Sequence, residues 1–175
     1  MKRFVITCLS GSLLIASVAA KGSTTRIVLT DQLGRVTELN DRSVLDQFNL
    51  WAGRGTYSGP PDRHSEGTQG FIIDWQTGIV DDRPGQLRRY EVRFYVAPKR
   101  TIPASLARVE SSVEELAYVV VYENDPATGK GYVYLPGKSD EHFVLNVRSI
   151  HRGGLEGHWL QASGAWQTAV TMSLR

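Results

Sequence analysis

The chain has 175 residues, 20 Lys+Arg against 18 Asp+Glu, and one cysteine, Cys8. Setting aside the first twenty residues removes Lys2 and Arg3 and leaves 18 against 18, which excludes the basic excess expected of a nucleic-acid binder. Cys8 goes with the same stretch, so the remainder holds no disulfide, no thiol nucleophile and no cysteine-ligated metal.

Residues 1–20 have the build of a secretory signal peptide. Lys2 and Arg3 precede the apolar run FVITCLSGSLLIASVAA, which ends in small side chains before Lys21. The expectation is cleavage beside Ala20, a periplasmic or secreted location, membrane contact only through the signal, and a bacterial source. Residues 21–175 are then one soluble, strand-rich domain, a length that buries a core without staples.

TRIVLTDQLGRVTEL, residues 25–39, predicts a hairpin with Gly34 in its turn. Ser43 and Asp46 resemble a capping box, and Val44, Leu45, Phe48, Trp51 and Ala52 fall on one helical face. That predicts a short helix ended by Gly53. Residues 53–70 are rich in Gly and Pro and predict a long surface loop. GFIIDW predicts a strand, and DDRPGQ a turn around Pro84-Gly85.

From Arg89 to Val96 the chain alternates. Tyr90, Val92, Phe94 and Val96 share one face, and Arg89, Glu91, Arg93 and Tyr95 the other. Residues 103–115 suggest one or two helical turns. Leu116 to Glu123 is almost wholly apolar and predicts a central strand covered on both faces. The turn NDPATGKG returns it to Tyr132–Leu135 as a second hairpin. Phe143 to Ile150 predicts a further strand and HRGGLEG a loop. The C-terminal stretch fits both a helical stripe through Trp159, Ala162, Trp166, Val170 and Leu174 and a strand alternation from Trp166; its length and alanines favour helix. Seven candidate strands joined by short turns predict an α+β, mainly antiparallel β fold: a curved antiparallel sheet or partly closed barrel with one or two short helices.

Chemistry-bearing patterns are sparse. Gly53, Gly55 and Gly59 miss the dinucleotide spacing and follow a helix rather than a strand. Gly129-Lys130 lacks the Ser/Thr and first glycine of a phosphate loop. His64, His142, His151 and His158 stand at no metal-ligand spacing, so no metal and no cofactor is expected. His64 and Glu66 in the long loop, with Asp74 between Ile73 and Trp75, are the candidates for a small extracytoplasmic hydrolase. Tyr118, Tyr122, Tyr132 and Tyr134 lie on the arms of one hairpin and form an aromatic ladder if both arms show them on one side.

A basic block from Arg83 to Arg108 precedes an acidic one at 110–125. Within it Arg89, Arg93 and Tyr95 share a polar strand face and are the expected ligand-binding residues, guanidinium forks for oxygens and a ring for stacking. The sequence thus points to a secreted or periplasmic, non-enzymatic binding module for an envelope polysaccharide or an extracytoplasmic protein partner. The alternatives are the hydrolase and an envelope component that assembles through a sheet edge.

Overall fold

The computed structural model describes residues 23–54, 71–97 and 114–174. The expected signal at 1–20, the loop from 55 to 70 with His64 and Glu66, the helical turns up to residue 113, and Lys99, Arg100 and Arg108 lie outside the described residues.

Six strands form one sheet: β1 (Ser23–Asp31), β2 (Val36–Leu39), β3 (Arg88–Ala97), β4 (Glu115–Asn124), β5 (Gly131–Tyr134) and β6 (Trp159–Gln161). Their order is β2-β1-β3-β4-β5-β6 and every pair is antiparallel. With β2 and β6 at opposite ends, the sheet is open, so the expected α+β fold takes its curved-sheet form and not the partly closed barrel. Among the described residues three short helices accompany it: α1 (Arg42–Leu45), α2 (Phe143–Ser149) and α3 (Gly164–Ser173).

Both expected hairpins form, and side chains in the turns explain why. Asp31 Oδ1 accepts from the backbone N–H groups of Leu33 and Arg35, both at 2.9 Å, and Gly34 takes φ 78°. In the second turn Asp125 Oδ1 accepts from Ala127 N at 2.8 Å, and Gly129 takes φ 72°. Short polar side chains thereby supply the acceptors that the strand ladder no longer offers.

The alternation of β3 sorts its side chains as expected. Tyr90, Val92, Phe94 and Val96 are buried on one face with Ile27 and Leu29 of β1 and Tyr118, Val120 and Tyr122 of β4. Leu45, Phe48, Phe71, Ile72, Trp166 and Val170 complete that core. Trp166 is its hub, edge-on to Phe48 at 5.0 Å and to Tyr122 at 5.8 Å. Each fully buried side chain of this kind contributes about 1.5–3 kcal/mol of transfer free energy.

Four expectations are corrected. Residues 143–149 are helix α2, not a strand. β5 pairs with residues 121–124 of β4, so among the described residues no strand meets the N–H and C=O of Val119 on that side. Asn146 of α2 meets them instead: its Oδ1 accepts from Val119 N at 2.8 Å and its Nδ2 donates to Val119 O at 2.6 Å. A buried backbone pair needs such a partner, and Asn146 is the buried residue of α2. α1 is shorter than expected and is capped by Asp41, whose Oδ1 accepts from Ser43 N at 2.8 Å, and not by Ser43. Single turns follow it, yet Leu45 and Phe48 still reach the core.

GFIIDW is also not a strand. It contributes one bridge, Ile73 to Ala162, along the outer edge of β6. The tyrosine ladder does not form. Tyr122 lies opposite Val133 and Tyr132 opposite Glu123, so Tyr118 and Tyr122 enter the core while Tyr132 and Tyr134 belong to the other face. The C-terminal stretch is helix from Gly164, as favoured, with β6 before it and Ser163 Oγ accepting from Trp166 N at 3.3 Å.

Candidate ligand-binding face

The sheet face opposite the core carries the residues expected to bind a ligand. Register puts Arg89, Glu91, Arg93 and Tyr95 of β3 on it, beside Val28 and Arg26 of β1 and Val119, Val121 and Glu123 of β4. Tyr134 of β5 and Trp159 of β6 continue it across the sheet. Val28 and Val119 are buried, while Arg93, Tyr95, Val121, Glu123, Tyr134 and Trp159 are half-buried.

The three expected residues share this face without converging. Arg89 and Tyr95 are six residues apart on one strand, about 20 Å at strand rise, and each belongs to a different cluster. At one end Arg26 stacks over the Tyr95 ring at 4.1 Å and is held by Glu38 at 3.1 Å and Glu114 at 2.9 Å. At the other end Arg83 stacks over the Trp159 ring at 3.6 Å and pairs with Glu123. Arg89 lies 3.6 Å from the same carboxylate. Tyr134 packs beside Trp159 with ring centroids 5.1 Å apart, and its hydroxyl donates to Asp140 Oδ2 at 2.8 Å. Burial, then the Asp140 bond, push the Tyr134 phenol above its ordinary range.

Between the two clusters stands Arg93. Its Nε donates to Glu91 at 2.6 Å, and His142, just before α2, approaches the other oxygen of Glu91 at 3.4 Å. The terminal amino groups of Arg93 have no protein partner among the described residues. Arg89 is equally available, since 3.6 Å is beyond hydrogen-bond length. Half the Arg89 side chain and 42% of Arg93 are exposed. The strip between the clusters therefore shows solvent several guanidinium donors, one bridged carboxylate and the edge of an aromatic pair.

Sequence reasoning missed Arg83, Glu123 and Trp159 as members of this face. Arg83 sits in a turn without periodicity, and only the β5–β6 register brings Trp159 beside Tyr134. Asp74, a hydrolase candidate, is a turn residue: Oδ1 accepts from Gln76 N at 3.0 Å and Oδ2 from the Thr77 hydroxyl at 2.8 Å. Its companions His64 and Glu66 are outside the described residues. No group of three His, Cys, Asp or Glu side chains among the described residues is arranged to hold a metal ion. Of the two outermost strands, β6 is flanked by the bridges at Ile73 and Ile79, whereas β2 has no further strand beside it among the described residues.

A second arginine site lies under the core face. Arg152 is fully buried and donates to the carbonyls of Leu50 at 2.8 Å, Ala52 at 2.9 Å and Arg54 at 2.7 Å. The rings of Phe71, Trp75 and Tyr118 surround its guanidinium at 4.5–5.7 Å. Burial pushes its pKa down, against the pull of Tyr118 and Glu156, yet an arginine remains protonated. The cation therefore fixes the chain on both sides of the 55–70 segment. Compared with family models, with curated proteins and with solved structures, the chain matches none.

Proposed function

We propose that the chain is an extracytoplasmic, non-enzymatic binding module for envelope polysaccharide, and that Arg89 and Arg93 carry the contact. The observation behind this reading is the strip itself. Two half-exposed guanidiniums stand on one strand with donors to spare, and their stems are positioned by Glu91 and Glu123. A planar guanidinium presents several N–H groups to oxygen acceptors, and the adjoining Tyr134–Trp159 pair adds an apolar surface to which a pyranose ring packs. The signal at 1–20 supplies the extracytoplasmic part of the reading.

Affinity electrophoresis of residues 21–175 in gels containing dextran, hydroxyethylcellulose, alginate or heparin tests it. The expected result is retardation in at least one gel, lost in the Arg89→Ala, Arg93→Ala double variant while its melting temperature stays near that of the parent. No retardation in any gel, or a double variant retarded as before, overturns the proposal.

A further inference from the structure

We infer that the ligand of this face is an uncharged, hydroxyl-rich glycan; the inference rests on the binding reading above and narrows it. The basis is charge. Arg26, Arg83, Arg89 and Arg93 are the guanidiniums that register and contacts bring to the face. Glu38, Glu91, Glu114 and Glu123 stand within ion-pair distance of them. Asp140 adds a fifth carboxylate beside Tyr134. Four cations against five carboxylates leave no positive excess among the described residues.

A polyanion gains from a surface whose summed field attracts it. Here it meets a carboxylate within ion-pair distance of every guanidinium it would use, and the repulsion between like charges opposes its approach. A neutral polyol meets no such opposition. Each Arg–Glu pair offers it a donor and an acceptor side by side, which suits hydroxyls that both donate and accept. The pairs also fix long side chains in advance, which lowers the ordering cost of binding. Rings complete the match: Arg26 stacks on Tyr95 of β3 and Arg83 on Trp159 of β6, which lies three strands across at the level of Glu91, so a chain laid obliquely across the sheet runs between two planar stacks.

The same four gels test the inference, read against salt and against a charge variant. The expected result is retardation by dextran or hydroxyethylcellulose that changes less than about twofold between about 20 and about 300 mM salt, because no net charge is screened. Glu91→Gln should weaken that retardation severalfold by loosening Arg93 and removing an acceptor, with the melting temperature measured alongside. Retardation by alginate or heparin alone, fading about tenfold or more with salt and strengthened by Glu91→Gln, overturns the uncharged ligand and leaves the binding reading standing. No retardation in any gel overturns both.

Discussion

Arginine is held in two different ways in this molecule. On the outer face Arg26, Arg83 and Arg93 each meet a carboxylate, with side chains 26–42% exposed. Arg152 beneath the core face is fully buried, has no carboxylate within ion-pair distance of its guanidinium among the described residues, and is held by three carbonyls and three rings. Water screens the Arg26 and Arg93 pairs, which are therefore worth little to stability, and reaches the Arg83–Glu123 pair, 26% and 12% exposed, less well. Nothing screens Arg152, and its burial is offset by the carbonyls that accept from both terminal nitrogens, although Nε is buried without a hydrogen-bond partner. The contrast teaches that exposure, and not residue type, decides whether an arginine here is structural or available.

Arg152→Ala should test that contrast with the largest effect. It leaves three carbonyls unpartnered and a cavity among the rings, for an expected loss of about 3–5 kcal/mol in urea denaturation. Arg152→Lys, which keeps the charge but not the fork, should fall between parent and alanine. A loss below about 1 kcal/mol for the alanine variant would erase the distinction between the two sites.

Asn146→Ala should cost about 2–4 kcal/mol, because two buried backbone groups of Val119 lose their partners at once. Hydrogen exchange at Val119 should accelerate more than at Val92 on the neighbouring strand. Equal acceleration at both would mean that α2 does not close the end of β5.

Gly53→Ala should cost about 1–3 kcal/mol. The backbone there has φ 80°, and an added Cβ would lie 2.2 Å from Trp75 Nε1. Gly34→Ala, with φ 78° and nothing within 4 Å, carries only the backbone part of the penalty. Should the two variants lose equal stability, the close approach of Trp75 is not felt.

Alkaline titration sharpens the core side of the contrast. Burial raises the Tyr122 phenol, with Tyr90 adding to the shift, and burial raises Tyr118 against the pull of Arg152. Groups with raised folded pKa stabilise fully below their unfolded value of 10.0 and lose that contribution as pH rises through the folded value. Absorbance of phenolate should show these two tyrosines ionising only with unfolding above pH 10. Their ionisation in a chain whose circular dichroism is still native would count against a sealed core.

The smallest effect belongs to the outer face. Arg89→Ala and Arg93→Ala should each change stability by less than about 1 kcal/mol. A loss of several kcal/mol at either would make that arginine structural, like Arg152, and withdraw it from the proposed site.

Much of the sheet was legible in the chain. Strict alternation set the two faces of β3, the run from Leu116 set a strand covered on both sides, and Asp–Gly turn chemistry set both hairpins. Alternation is a local property, since successive side chains leave a strand on opposite sides. The candidate strip was legible only in part: Arg89 and Arg93 follow from period two, but their carboxylate partners and the Arg83–Trp159 stack do not.

What the sequence determined by itself was therefore the local order: which segments pair through short turns and which face of β3 is apolar, with a C-terminal stretch that fitted both helix and strand and only favoured helix. Tertiary structure alone decided the rest. Phe143–Ser149 has apolar and β-branched residues that suit a strand, and it became a helix because Asn146 is needed where β5 stops short of Val119. The four tyrosines were divided between core and outer face by the β4–β5 register, and a shift of one residue would have brought all four to one side. Arg152 sits in a glycine-rich stretch with no pattern to mark it. Only the meeting of residues 50–54, 71–75 and 118 around it makes a buried cation tenable, and contacts between segments so distant in the chain leave no periodic trace in any one of them.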